Sequence, residues 1–133
     1  MLRVFVYGTL KPGELYHESY CGTEGVAAIA AMTTGQIYHL SVGYPAMTVG
    51  DGWVIGMLLS FARPQVLQRL DQLEGFCRDR PAAENEYQRV WRPVWALDQT
   101  PLGEAWMYVM TTAQISALGG QPLPGGVWRS ADF

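Results

Sequence analysis

The chain has 133 residues, of which 49% are hydrophobic and 16% are charged. This length predicts a single domain over residues 1–133, and the apolar content argues against a disordered chain. The net charge is −3, and the single lysine, Lys11, stands in no basic cluster. The composition therefore argues against a nucleic-acid partner, which requires grouped cationic side chains.

The chain opens with an apolar run at residues 2–6, which breaks into a loop of glycine, threonine and proline at residues 7–13. Such a pattern predicts a buried strand that feeds a loop. Gly8 permits a close approach of the backbone to another group, although a plain turn after a core strand also explains it. Residues 14–20 leave room for about two helical turns.

A strand is predicted over residues 25–40, bracketed by Gly25 and Gly35, although the alanine run within it also suits a helix. The pair Asp51-Gly52 predicts a hairpin turn between strands at 47–49 and 53–55. The second strand continues to residue 61, and Gly56 inside it indicates a bulge or a close approach.

The clearest helix is predicted over residues 64–74, where apolar residues recur at helical spacing and Gly75 follows as a stop. Further strands are predicted at 87–97 and 104–111, a short helix at 112–118 and an irregular segment at 119–126. We therefore expect a mixed α/β domain on an antiparallel or mixed sheet, in which closure into a barrel would remove exposed edges.

Glu74 is the residue least explained by folding alone. It shares the apolar helix face of Leu67 and Leu70, and it lies in the last turn, where the helix dipole disfavours a negative charge. Burial and the dipole would both raise its pKa towards the range useful for general acid–base catalysis. The alternative is that the helix frays and Glu74 swings into water to pair with Arg78.

We expect the other acidic residues near Glu74 to have ordinary roles at the surface. We expect Asp71 to be a solvent-side charge and Glu84 and Glu86 to be loop charges. Several aromatic residues are open to two interpretations, as core residues with satisfied polar groups or as the lining of a pocket: Tyr7, Tyr44, Tyr87, Trp106 and Tyr108.

Cys21 and Cys77 lack metal-ligand spacing, so we expect two free thiols that pack in the protein, while a disulfide stays open. The sequence shows no signal-peptide pattern and no apolar stretch long enough to span a bilayer. We therefore expect a cytoplasmic protein.

Six short motifs follow one another along nearly the whole chain: Val-Tyr-Gly-Thr-Leu at 6–10, Tyr-Pro-Ala at 44–46, Leu-Asp-Gln-Leu-Glu-Gly-Phe at 70–76, Tyr-Gln-Arg-Val at 87–90, Ala-Trp-Met-Tyr at 105–108 and Gly-Val-Trp at 126–128. In this order they resemble the gamma-glutamylcyclotransferase-like family, in its AIG2-like and gamma-glutamylamine cyclotransferase branch. The resemblance implies an α+β fold, a small mixed β-barrel with flanking helices.

The resemblance also implies an intramolecular acyl transfer, of the lyase or transferase type, that needs neither a metal nor another cofactor. The α-amine of the substrate attacks its own γ-carbonyl and yields 5-oxoproline and a free amine. Glu74 is implied as the catalytic acid and base. The implied substrate-binding residues are the loop that holds the glutamyl head and three tyrosines: Tyr7, Gly8, Thr9, Leu10, Tyr44, Tyr87 and Tyr108.

The expected partner is a small γ-glutamyl molecule, with no nucleic acid and no membrane, and the chain is expected to be a monomer or a weak homodimer. The loop at 77–86 leaves the preference for a leaving group open. Two other functions stay open as well. One is hydrolysis of a γ-glutamyl or isopeptide bond by water, and the other is a non-catalytic module that binds a small amino-acid-like ligand.

Overall fold

The computed structural model of the protein describes residues 1–22, 24 and 27–133. The strands and helices follow one another in the order β1 (Leu2–Val6), α1 (His17–Cys21), β2 (Ala27–His39), β3 (Pro45–Phe61), α2 (Val66–Leu73), β4 (Gln88–Trp95), β5 (Pro101–Val109), α3 (Thr112–Ala117) and β6 (Gln121–Pro122). Two 3-10 helices lie at Ala82–Glu84 and Ser130–Asp132. None of the described helices has the length and apolar character needed to cross a membrane.

The six strands form one mixed sheet in the order β3-β1-β5-β4-β2-β6. β3 pairs with β2 as well as with β1, so the first five strands of this order close on themselves. β1 and β5 run parallel and meet at Val4 and Trp106, whereas the other pairs are antiparallel. The predicted α+β fold is therefore confirmed, and β1 lies between β3 and β5.

Alternation along β1 divides the core into two clusters, because successive strand residues point to opposite faces. Val4 and Val6 pack in the cluster that contains Leu70 of α2. Phe5 and Tyr7 pack in the second cluster, which contains Trp128. Full burial of a side chain such as Leu70 stabilises the fold by about 2 kcal/mol. The strand that leads into the loop at residues 7–13 is therefore held from both faces.

The predicted hairpin at Asp51-Gly52 is wrong. β3 passes through these residues as one strand of 17 residues, and both of its parts pair with β2. The register shifts between Thr34 and Gln36, where the additional residues of β3 are accommodated as a bulge. The chain reverses at residues 40–44 instead, which places the two long strands side by side.

Other predicted elements are confirmed with changed limits. The alanine run lies in strand β2, so the strand prediction is confirmed over the helical alternative. Gly25 and Val26, at the start of the predicted strand, lie outside the described residues. Gly56 does mark a close approach, since a Cβ there would lie 2.2 Å from the carbonyl oxygen of Val6. The segment predicted as irregular contains the short strand β6.

The two cysteines have different surroundings, and both are free. Cys21 is buried, as expected of a packing residue, and burial raises the pKa of its thiol to about 11. Cys77 is exposed, so the prediction that it packs in the protein is wrong. It follows Phe76 at the start of a loop that leaves the helix end.

Candidate functional site

The C-terminus of α2 is shaped by its sequence. Phe76 N–H donates to the carbonyl of Asp71 over 2.9 Å, and Gly75 N–H donates to the carbonyl of Gln72 over 3.3 Å. Gly75 has a φ of 66°, so the helix ends in a Schellman motif, as the glycine predicted. Glu74 is the C-cap residue, one position before this reversal.

The Glu74 side chain lines a cavity of about 150 Å³. Burial, followed by the negative charge of Glu86, raises the pKa of Glu74 from 4.5 to about 8. The alternative of a frayed helix end is wrong, since Glu74 N–H donates to the carbonyl of Leu70 over 2.9 Å and the side chain lines the cavity. The cavity thus contains a carboxyl group whose pKa is raised into the range useful for general acid–base catalysis.

The loop after β1 forms another wall of this cavity, and all four residues of 7–10 line it. Lys11 N–H donates to the carbonyl of Gly8 over 3.0 Å, and Tyr16 N–H donates to that of Thr9 over 2.8 Å. The amides of residues 8–10 donate no hydrogen bond to the described part of the chain. Successive unpaired amides at a cavity wall suit an anion or a polarised carbonyl oxygen.

Gly8 is required by a close approach. A Cβ at this position would lie 2.6 Å from Cγ of Pro45, whose ring lines the cavity. Such a distance is far shorter than a normal contact, so any larger residue forces the loop or the proline to move. The loop and the start of β3 therefore fit against each other because residue 8 has no side chain.

Five tyrosines line the cavity: Tyr16, which the sequence does not single out, and the four predicted ones, whose hydroxyl groups donate to protein acceptors. Tyr7 and Tyr87 each donate over 2.6 Å to a backbone carbonyl, while Tyr108 and Tyr44 donate to carboxylates over 2.7 and 2.6 Å. Burial raises the pKa of Tyr7, Tyr87 and Tyr108. Burial and the hydrogen bond to the Glu86 carboxylate raise the pKa of Tyr44 to about 12. These residues therefore remain neutral and present ring surface and oxygen lone pairs.

Glu86 lies at the same cavity, although the sequence predicts only a loop charge there. Its carboxylate accepts the hydroxyl of Tyr44 over 2.6 Å. Its backbone N–H donates to the carbonyl of Gly75 over 3.0 Å, and its carbonyl accepts from the side-chain amide of Gln114 over 3.1 Å. No local pattern reveals this position, because each contact joins residues that are distant along the chain.

Asp71 is not the solvent-side charge that the sequence predicts. Its carboxylate accepts from the guanidinium of Arg89 and from the hydroxyl of Tyr108, both over 2.7 Å. The Arg89 side chain is 8% exposed and lies between the rings of Phe76 and Trp106. This group joins α2 to β4 and β5 and so supports the cavity wall that carries Tyr108.

The cavity is acidic. Its described lining contains two carboxylates, Glu74 and Glu86, and no lysine, arginine or histidine. Across the described residues, no group of three histidine, cysteine, aspartate or glutamate side chains is arranged to hold a metal ion. Glu74 and the seven substrate-binding residues predicted from the sequence all line one cavity, together with Glu86 and several apolar residues. Trp106, the other aromatic residue considered for a pocket wall, is not part of this lining and packs against Arg89.

Comparison with solved structures identifies the fold. A crystal structure of an AIG2-like protein from Mus musculus is 23% identical over 93% of this chain and 86% of its own, with a TM-score of 0.71. The solution structure of protein ytfP from Escherichia coli is 28% identical over 99% of this chain and all of its own, with a TM-score of 0.66. The crystal structure of YkqA from Bacillus subtilis is 22% identical over 96% of this chain, with a TM-score of 0.66, and the match spans 39% of YkqA.

No curated protein sequence matches the chain. The family model described as gamma-glutamyl cyclotransferase, AIG2-like, matches residues 4–130, which is nearly the whole chain. The ordered motifs in the sequence predict the same family. The chain therefore belongs to the gamma-glutamyl cyclotransferase, AIG2-like family.

Proposed function

We propose that this protein is a cofactor-independent γ-glutamyl cyclotransferase, which converts a γ-glutamyl amine or a small γ-glutamyl peptide into 5-oxoproline and a free amine. The observation that carries this proposal is the presence of Glu74, with a pKa of about 8, in the same cavity as the unpaired amides of residues 8–10. Membership of the family supports the class of reaction.

The loop amides are proposed to stabilise the acyl group of the substrate as it reacts. As the substrate's amine adds to its γ-carbonyl, negative charge develops on the carbonyl oxygen. Fixed N–H groups aimed at such an oxygen stabilise the transition state without reorganisation, and each is worth about 3 kcal/mol where it has been measured in other enzymes. The amides of residues 8–10 are proposed to hold the glutamyl head and to provide this stabilisation.

Glu74 is proposed to move both protons. Its carboxylate takes a proton from the substrate's α-ammonium group, and the free amine then forms a bond to the γ-carbon. As the bond from that carbon to the leaving nitrogen breaks, the Glu74 carboxyl gives this proton to the leaving nitrogen. The regenerated carboxylate then takes the second proton from the attacking nitrogen, which becomes the N–H of the 5-oxoproline ring, and passes it to the departing amine. An α-amino group titrates at about 8, so its proton and that of Glu74 are held with similar strength, as efficient transfer requires.

Confinement is expected to supply the remaining acceleration. A γ-glutamyl chain in water must fold back on itself before its amine can reach its own γ-carbon. A cavity of about 150 Å³, walled by tyrosine rings, favours such a folded form over extended ones. The hydroxyl hydrogens of Tyr7, Tyr87 and Tyr108 are already donated within the protein, so these residues present ring surface and oxygen lone pairs to the substrate.

The test is product analysis with a panel of γ-glutamyl compounds, using the wild type, Glu74→Gln and the exposed loop variant Glu84→Gln. We expect 5-oxoproline from the wild type and from Glu84→Gln, and a decrease in kcat of about 100-fold or more in Glu74→Gln. A fully active Glu74→Gln would refute the mechanism. Free glutamate in place of 5-oxoproline would indicate a hydrolase, and binding without turnover would indicate a non-catalytic module.

A further inference from the structure

We propose that Glu86 determines which leaving amines are accepted, and that the preferred substrates are γ-glutamyl amides of diamines, whose free end carries a positive charge. This inference takes its reaction from the proposed cyclotransferase function. It adds the chemical class of the leaving group, and it assigns the selection to one residue of the cavity.

The charge of the cavity is the first argument. Two carboxylates and no cationic side chain occur in its described lining. An ammonium group that enters such a cavity is attracted, whereas a second carboxylate is repelled, and this difference is the usual origin of charge selectivity. A neutral leaving group gains nothing from either effect.

The relative exposure of the two carboxylates is the second argument. Glu74 is partly buried, and Glu86 is exposed at the edge of the same cavity. A substrate whose reacting amide reaches Glu74 must direct the rest of its leaving group towards solvent. The carboxylate available to that part of the substrate is Glu86, while the glutamyl head is held at the loop of residues 8–10.

The third argument is that Glu86 is held in place before any substrate binds. Its carboxylate accepts from Tyr44, its N–H donates to Gly75, and its carbonyl accepts from Gln114. A free surface glutamate loses side-chain entropy when it forms an ion pair, which cancels much of the gain. A glutamate that is already fixed loses less, so its preference for a cation is larger.

The same contacts allow the negative charge of Glu86 to be tested separately from its anchoring. Glutamine at this position retains a side-chain oxygen that can accept from Tyr44, and it retains the backbone bonds to Gly75 and Gln114. Glu86→Gln therefore removes the charge and leaves the anchoring intact. Loss of selectivity in this variant can be assigned to the charge itself.

The experiment compares three γ-glutamyl amides of similar size: those of putrescine, pentylamine and γ-aminobutyrate, which end in a cation, a methyl group and an anion. At low ionic strength we expect the wild type to favour the putrescine amide over the pentylamine amide in kcat/KM by about five-fold. The γ-aminobutyrate amide should be the poorest substrate, and added salt should reduce the differences.

Glu86→Gln is expected to bring the three kcat/KM values to within about two-fold of one another, whereas the control Glu84→Gln, in the same loop, retains the wild-type order. Because the amides are compared on one enzyme at one pH, any change in the titration of Glu74 cancels from the ratio. An unchanged ratio in Glu86→Gln would overturn the proposal. An equal loss for all three amides would also overturn it, since Glu86 would then bind the glutamyl head.

Failure of the proposed reaction is distinguishable from failure of this inference. If the wild type cyclises none of the amides, the cyclotransferase proposal fails. The affinities of the same three amides, measured by calorimetry for the wild type and Glu86→Gln, then test the selection by charge. A preference for the putrescine amide that disappears in Glu86→Gln supports it, and equal affinities in the wild type refute it.

Discussion

Glu74→Gln is expected to stabilise the folded protein at alkaline pH while it removes activity. The Glu74 carboxyl titrates at about 8 in the folded protein and at about 4.5 in the unfolded chain. Between these values the folded state holds a proton that the unfolded state has released, so the free energy of unfolding falls as the pH rises. Glutamine imitates the protonated carboxyl and does not titrate.

The size of the effect follows from the two pKa values. Their difference, at about 1.4 kcal/mol per pH unit, corresponds to about 5 kcal/mol when Glu74 is fully ionised. We therefore expect the free energies of unfolding of the two proteins to differ by up to about 5 kcal/mol at alkaline pH. Nearly all of this difference should develop between pH values of about 4.5 and 8, with no further change at higher pH.

The assay is urea denaturation of the wild type and Glu74→Gln at pH values of about 5, 7 and 9. Groups other than Glu74 titrate in both proteins, so the difference between the two free energies of unfolding isolates this residue. We expect the curves to approach each other at the lowest pH and to separate as the pH rises. Parallel curves would refute the reasoning, because they would show that Glu74 ionises as freely in the folded protein as in water.

Three further predictions concern the same cavity. The kcat/KM for cyclisation should reach a maximum near pH 8 and fall on either side, because the reactive complex needs ionised Glu74 and the protonated α-ammonium group of the substrate; a pH–rate profile measures this. Gly8→Ala places a methyl carbon 2.6 Å from a ring atom of the facing proline, so kcat/KM should fall by about ten-fold or more while the circular dichroism spectrum is unchanged. Asp71→Asn leaves the buried guanidinium of Arg89 without its anion and should lower the free energy of unfolding in urea by about 3 kcal/mol.

Each of the two new substitutions has a control within the chain. Gly50→Ala adds a Cβ with no other atom within 4 Å, so it should leave kcat/KM unchanged. Asp132→Asn removes the partner of Arg129 in a pair whose side chains are 52% and 66% exposed, so little stability should be lost. Equal effects of a substitution and its control would contradict the role assigned to the cavity contact or to the buried pair. A rate that does not change with pH would contradict the role of Glu74.

The parts of the fold that are predictable from sequence are those determined by local pattern. α2 combines apolar residues at helical spacing with Gly75 at its end, and both features act within a few residues. The hairpin at Asp51-Gly52 fails as a prediction because local turn preference is outweighed by distant pairing. β2 offers both parts of β3 a partner along nearly its whole length, and the turn-forming residues are absorbed as a bulge.

The same distinction separates the site residues. Glu74 is predictable because its two unfavourable features, an apolar helix face and a helix C-terminus, are visible within one helix. Glu86 is not, because its hydroxyl partner, Tyr44, is 42 residues away. Asp71 looks like a solvent-side charge until Arg89, 18 residues further along the chain, is seen against it. The sequence thus indicates which residue is unfavourable for folding, while the surrounding charges depend on tertiary contacts.

In the cavity, the groups that keep their protons are different from the group that can exchange one. The hydroxyls of Tyr7, Tyr87 and Tyr108 are committed to acceptors within the protein, and burial raises their pKa values, so they keep their protons. The amides of residues 8–10 cannot ionise and can act as fixed donors. Proton exchange near neutral pH is then left to Glu74 within the described lining of the cavity. The proposed reaction moves two protons, one after the other, from the attacking nitrogen to the leaving nitrogen, and a single carboxyl group with a raised pKa can carry both.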